Sequence, residues 1–176
     1  MKKRLWLLCG IPGSSKSTWI RDHRTFFAEK SAVISRDEIR FSIVAENEEY
    51  FSKENEVWDK FVANAKSSIS ENVDTILDAT HISESSRGKI LRALKDNLQD
   101  VEINAIVINT GVDTAIEQND LREGTRAFVP KGVIRRMNSS LTLPTLEEGF
   151  DHIYIYEKVN GKIKYQIIEK ESVNKI

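Results

Sequence analysis

The segment Gly10-Ile11-Pro12-Gly13-Ser14-Ser15-Lys16-Ser17-Thr18 limits the possible folds of this chain more than any other stretch. It follows the apolar run Leu5-Trp6-Leu7-Leu8-Cys9, which has the pattern of a parallel strand buried on both faces. Beyond it, Trp19, Ile20, Phe26 and Phe27 fall at loose helical intervals and predict a helix over Lys16–Glu29. A strand, a glycine-bearing turn and a helix in that order direct successive backbone amides and a helix N-terminus at one point, an arrangement suited to phosphate oxygens. Gly10 and Gly13 permit close backbone approach, and Ser14 and Ser15 complete the turn. Lys16 is placed to reach the β and γ phosphates of ATP, Ser17 to offer its hydroxyl to Mg2+, and Thr18 to contact the α phosphate. The motif ordinarily carries glycine just before the lysine, and Ser15 stands there instead, at a cost in conformational strain.

The remaining chain alternates strands and helices. Ser31–Ser35 reads as a strand that ends in a capping box, Ser35-Arg36-Asp37-Glu38, so a helix begins at Arg36. Tyr50–Asn72 is amphipathic, with Val57, Trp58, Phe61, Val62, Ala65 and Ile69 on one side. Asp74–Asp78 is a third strand, a helix runs from Ser83-Glu84 to Leu98, and Val101–Ile108 is a fourth strand. Val112–Arg122 and Val133–Leu141 are helical, and His152–Glu157 and Ile163–Ile168 flank the hairpin signal Asn160-Gly161. The expected architecture is therefore α/β: a P-loop three-layer sandwich with a mainly parallel sheet, a helical lid and a C-terminal β-hairpin. Ligands in such sheets sit beyond the carboxyl ends of the strands, so the residues after Cys9, Ser35 and Asp78 should converge.

At 176 residues, a single domain over 1–176 is expected. The net charge of -1 provides no whole-protein attraction to nucleic acid, so such a partner would need a local basic patch. The lone cysteine, Cys9, lies in an apolar run and reads as a core residue in a reducing compartment. The basic triplet Lys2-Lys3-Arg4 precedes an apolar stretch that breaks at Gly10, too short for a signal sequence, and no stretch approaches the roughly 20 apolar residues of a membrane span. A cytoplasmic protein is expected.

Candidate chemistry beyond the loop starts with Asp37, in the first turn of its helix, where the dipole favours a carboxylate able to accept a hydroxyl proton. Arg36 and Arg40 lie one turn apart and could hold an acceptor phosphate. Asp78, at a strand end, is placed for the metal side, followed by Thr80 and His81 on the acceptor side. His81 lacks the neighbours of a metal site and reads as a hydrogen-bonding or surface residue. The segment containing Arg122, Arg126, Lys131, Arg135 and Arg136 is punctuated by Gly111, Gly124 and Gly132, and suits a lid that brings arginine to the nucleotide. Each feature also has an ordinary reading: a first-turn acid, a strand-end acid that caps a turn, a solvated charged face.

In this order, the loop Gly10–Trp19, Ser35-Arg36-Asp37-Glu38-Ile39-Arg40, Asp78-Ala79-Thr80-His81, and Asn119-Asp120-Leu121-Arg122 through Val129-Pro130 resemble the 5'-hydroxyl polynucleotide kinases of phages and their bacterial relatives, over residues 4–141. The resemblance implies transfer of the γ phosphate of ATP to the 5'-hydroxyl of single-stranded DNA or RNA. It implies that Lys16 and Ser17 hold phosphate and Mg2+, Asp37 is the general base, Arg40 contacts an acceptor phosphate, and Arg122 is the lid arginine. The chain departs from the pattern at Ser15, at Gln118, where an arginine often precedes the asparagine, at His81, where asparagine is common, and in a longer stretch between Arg122 and Pro130. Kinases of the same superfamily that act on a small-molecule hydroxyl (nucleoside, nucleotide, sugar or antibiotic), zeta-type toxins among them, share the ATP side. A nucleotide switch or ATPase without an acceptor would share the loop alone.

Overall fold

Seven residues, Lys3–Cys9, form the central strand β1 of a six-stranded sheet, and both of its edges are paired in parallel. The computed structural model describes residues 1–170, so the last six positions of the expected 1–176 domain lie outside the described residues. After β1 come α1 (Lys16–Asp22), β2 (Ser31–Ser35), α2 (Arg36–Ile43), α3 (Glu54–Glu71), β3 (Asp74–Asp78) and α4 (Glu84–Leu94). β4 (Val101–Asn109), α5 (Val112–Asp120), α6 (Lys131–Ser139), β5 (His152–Val159) and β6 (Lys162–Glu169) complete the order. The sheet runs β2-β3-β1-β4-β5-β6, parallel except for the β5–β6 hairpin. This is the expected P-loop α/β fold.

Alternation along β1 divides the core in two. Leu5, Leu7 and Cys9 face α3 and α4, packing with Val57, Phe61, Ala65, Ile90 and Leu94. Trp6 and Leu8 face the other layer, with Trp19, Ile20, Phe27 and Ile108. A smaller cluster of Ile11, Ala115, Ile116 and Ile134 seats α5 and α6 against the loop after β1. The hairpin turns at Asn160 and Gly161, whose φ values of 50° and 74° are the paired positive angles of a turn matched to strand twist.

Five expected helices have different ends: the one expected to reach Leu98 ends at Leu94, with a 3-10 turn over Lys95–Asn97, and the one expected over Val133–Leu141 spans Lys131–Ser139. The one expected over Lys16–Glu29 stops at Asp22, and a 3-10 turn, Arg24–Phe26, follows. Tertiary packing overrides the periodicity there: Phe26 and Phe27 set their rings edge-on to Trp6 at 5.2 and 5.6 Å, and the Ala28 amide donates to the buried carboxylate of Asp74. The helix expected from Tyr50 starts at Glu54, which leaves Tyr50 and Phe51 in a turn. The helix expected to reach Arg122 ends at Asp120, and the lid residues after it are turns. Among the described residues, no helix is long and apolar enough to cross a membrane.

Candidate active site

The loop between β1 and α1 is pressed on three sides. The Gly10 amide donates to Thr80 O at 2.9 Å, beside the end of β3. A Cβ on Gly10 would lie 2.7 Å from Ile108 O on β4, and one on Gly13, at φ 80°, would lie 2.1 Å from Ala115 O on α5. Only glycine fits either place without moving backbone. The Lys16 ammonium lies under this turn, donating to Gly10 O at 2.9 Å and Ile11 O at 3.0 Å. Its burial lowers the lysine pKa, while the carboxylates of Asp78 and Asp37 oppose the shift. Ser17 donates its hydroxyl to Asp78 Oδ2 at 3.0 Å. Desolvation raises the Asp78 pKa against the pull of Lys16 and Ser17. The Ser14 hydroxyl is buried and makes no hydrogen bond among the described residues, and Thr18 is exposed on the first turn of α1.

Ser15 adopts the left-handed conformation, φ 68° and ψ 28°, as the usual glycine would. That conformation costs a non-glycine residue about 1–2 kcal/mol. The serine hydroxyl donates to Oε1 of Gln118 on α5, and one such bond contributes about 1 kcal/mol, which offsets half or more of the strain.

On the side expected to meet an acceptor, Ser35 accepts from the Glu38 amide at 3.3 Å and starts α2, which sets Asp37 at the carboxyl end of the sheet. The return bond expected from Glu38 is not made among the described residues. Asp37 Oδ1 accepts from Arg40 at 2.7 Å and from the Tyr50 hydroxyl at 2.9 Å. Arg40 is buried, and its Nε and NH2 groups donate to Glu54 at 2.9–3.3 Å. Arg36 also donates to Glu54. Both arginines expected to receive an acceptor phosphate are thus held by one carboxylate.

Asn119, a fully buried side chain, pins the segment expected as the lid into a loop, donating to Val129 O at 2.7 Å and accepting from the Val129 amide at 2.9 Å. Arg122 is exposed in the intervening turn, near enough for its charge to act on Lys16. Arg126, expected at the nucleotide, donates instead to Phe41 O and Val44 O and lies over the Phe41 ring, tying the lid to the end of α2. Lys131 pairs with Asp120 at 2.9 Å and Arg135 with Asp113 at 3.6 Å, which divides the basic segment among local partners. His81 is buried and bonded to Leu8 O at 2.8 Å, and its pKa is pushed down to about 4 by desolvation, so the surface alternative for this residue is corrected. Thr80 touches the site through its carbonyl, which accepts from Gly10. Gln118, Tyr50, Glu54 and Asn119 are polar groups around the site whose roles the sequence alone does not disclose. Asn119 and Gln118 carry a signal, their places in the lid motif.

A phosphate loop at the end of the central strand of a mostly parallel sheet defines a P-loop nucleotide-binding fold. The chain belongs to the AAA domain family, AAA_33, whose model matches residues 5–144. No curated protein matches the sequence. Among solved structures, it is similar to a chain of the Pnkp1/Rnl/Hen1 RNA repair complex, at 24% identity and a TM-score of 0.66 over 80% of this chain and 44% of that one. It is also similar to a chain of the PezAT chromosomal toxin-antitoxin system of Streptococcus pneumoniae, at 21% identity and a TM-score of 0.63 over 93% and 71% of the two chains. A gluconokinase from Sinorhizobium meliloti 1021 matches at 15% identity and a TM-score of 0.53 over 88% and 82%. At these identities the likeness is one of fold, and the chain spans less than half the length of the first, 44%.

Proposed function

We propose that this protein is an ATP-dependent phosphotransferase that delivers the γ phosphate to a hydroxyl held at Asp37. The observation that carries the reading is the setting of Asp37: Arg40 and Tyr50 fix one of its oxygens at the carboxyl end of the sheet, where the phosphate loop also lies, and its charge, with that of Asp78, opposes the lowering of the Lys16 pKa. The other, Oδ2, makes no hydrogen bond among the described residues and is available to an acceptor hydroxyl. The acceptor oxygen bonds to the γ phosphorus as the bond to the β–γ bridging oxygen breaks; ADP leaves, and the hydroxyl proton passes to Asp37. Lys16 and Arg122 offset charge on the transferring group.

Ser17 and Asp78 offer a hydroxyl and a carboxylate, the hard oxygen donors Mg2+ takes together with water and substrate phosphates. They would hold the ion, which when bound neutralises charge on the β and γ phosphate oxygens. Among the described residues no cluster of three His, Cys, Asp or Glu competes for a metal. The buried thiol of Cys9 fits a reducing, cytoplasmic setting.

The sequence resemblance and the likeness to a chain of an RNA repair complex support the 5'-hydroxyl of single-stranded DNA or RNA as acceptor. A second reading, a small-molecule hydroxyl, is favoured by Arg40, whose donors are taken up within the protein. γ-Labelled ATP with Mg2+ is to be offered with 5'-hydroxyl oligonucleotides, 5'-phosphorylated controls, nucleosides and 3'-nucleotides, to wild type and Asp37→Asn. Label on 5'-hydroxyl ends supports the first reading, and label on small acceptors alone supports the second. ATP binding with no labelled acceptor of any kind would sink the phosphotransferase reading.

A further inference from the structure

A guanidinium has five N–H donors in a fixed fork, and at Arg40 every one is engaged. Nε and NH2 reach Glu54 at 3.3, 3.1 and 2.9 Å, and NH1 reaches Asp37 at 2.7 Å and the Tyr50 hydroxyl at 3.0 Å. Arg36 approaches from the other side through one group, with NH2 on Glu54 Oε1 and its guanidinium over the Trp58 ring at 5.5 Å, while its Nε is buried without a partner among the described residues. The Glu54 carboxylate therefore occupies the place between two arginines that an acceptor phosphate would need. Carboxylate and phosphate oxygens make equivalent charge-assisted bonds to such a fork. A phosphate entering here would have to expel Glu54, leave its charge nearby, and disturb the Arg40 bond that fixes Asp37. One exposed aromatic ring adjoins the arginine: Phe51 is 66% exposed, with its ring 5.6 Å from the Arg40 guanidinium and 4.7 Å from the ring of Tyr50.

We propose that Glu54 is a specificity-determining residue, holding Arg36 and Arg40 so that the site takes hydroxyl acceptors with no phosphate beside the hydroxyl, seated against the exposed ring of Phe51. The proposal rests on the reading of Asp37 as the residue that meets the acceptor, and it selects the small-molecule hydroxyl over a 5'-hydroxyl polynucleotide end, whose terminal nucleotide carries a 3' phosphate. Arg40 then acts as a positioning residue for Asp37 and makes no contact with substrate.

The test titrates inorganic phosphate by calorimetry into protein saturated with Mg2+ and a non-hydrolysable ATP analogue, so that the loop is filled. Wild type is expected to bind no phosphate at the arginine pair, and Glu54→Gln to gain phosphate affinity by about tenfold or more, because a like charge is removed and two guanidinium groups are freed. Glu54→Asp, which keeps the charge, is expected to stay close to wild type. A second arm compares label transfer to adenosine and to adenosine 3'-monophosphate, which differ only in the phosphate: wild type should prefer adenosine, and Glu54→Gln should lose or reverse the preference. Phosphate binding by wild type that Arg40→Lys removes overturns the proposal, as does a Glu54→Gln protein that folds and gains no phosphate affinity. If Glu54→Gln fails to fold, the wild-type and Arg40→Lys titrations decide alone. The titration needs no turnover, so a protein that labels no acceptor fails the phosphotransferase reading while still answering this one.

Discussion

The hydroxyl of Ser15 donates to the side-chain oxygen of Gln118, joining two positions 103 residues apart where the chain departs from the family pattern it resembles. The left-handed backbone at Ser15, φ 68°, is the strained half, and the hydrogen bond is the compensating half. Gln118 is carried by α5, the helix whose Ala115 carbonyl abuts Gly13, so the bond fastens the phosphate loop to a support it already touches.

Gln118→Ala is therefore expected to cost about 1 kcal/mol and to weaken ATP binding several-fold. Ser15→Gly should remove the strain and the dependence on Gln118 together, so that Gln118→Ala is close to neutral in the Ser15→Gly background. A double-mutant cycle read by melting temperature and ATP affinity checks this. A coupling indistinguishable from zero would show that the bond does not support the loop.

His81 links stability to pH. Desolvation, with the charges of Arg36, Lys16 and Arg87 adding to it, pushes its pKa down to about 4 from an ordinary 6.5. Between those values the unfolded chain binds a proton that the folded chain refuses, so stability falls as pH drops from 6.5 toward 4, by about 3 kcal/mol over the window. His81 also sits at φ 41°, a conformation that asparagine tolerates. His81→Asn should flatten this part of the pH–stability curve. An unchanged slope between pH 6.5 and 4 in the variant would assign the effect to other groups.

The candidate base gives a separate expectation. Asp37→Asn should lower turnover by about 10²–10⁴-fold with ATP affinity preserved. Tyr50→Phe removes one of the two bonds on Oδ1 and leaves that from Arg40, so its loss of turnover should be smaller, about 3–10-fold, with ATP affinity again unmoved. Steady-state kinetics with the identified acceptor would separate the two. A Tyr50→Phe loss as large as that of Asp37→Asn would make Tyr50 a direct participant.

What is legible in the sequence follows the range of the interactions. β2 and β3 match their expected bounds to the residue, since each is a short apolar run ended by a polar residue with a partner close at hand, Ser35 capping α2 and Asp78 meeting Ser17. The phosphate loop is readable because its chemistry lies in adjacent residues. Periodicity overestimates α1 because the pull on Phe26 and Phe27 comes from Trp6 and Asp74, which no local window contains. Glu54 illustrates the limit within the site: in the helix expected from Tyr50 it is one acid among several, and its use as the counter-charge of Arg36 and Arg40 appears only when α2 and α3 pack. Arg126 likewise reads as one more cation in a basic segment until the fold sets it against the carbonyls of Phe41 and Val44.

Asn119 offers a test of the lid. Both ends of its buried amide are spent on Val129, one accepting from the nitrogen and one donating to the oxygen, which closes residues 119–129 into a loop that carries Arg122 at its exposed turn. Asn119→Ala leaves both backbone groups of Val129 without their partner, a loss of about 1–3 kcal/mol. Asn119→Asp keeps the acceptor for the Val129 amide and sets a carboxylate oxygen against the Val129 carbonyl, so it should be no better tolerated. If the loop's closure holds Arg122 over the transferring group, both variants should lose turnover while retaining most of their ATP affinity, because Lys16 and the loop amides are untouched. Arg122→Ala supplies the reference: in its background Asn119→Ala should reduce turnover little further, since the residue it positions is already gone. Fully additive losses in the double variant would mean that Asn119 stabilises the lid without placing Arg122.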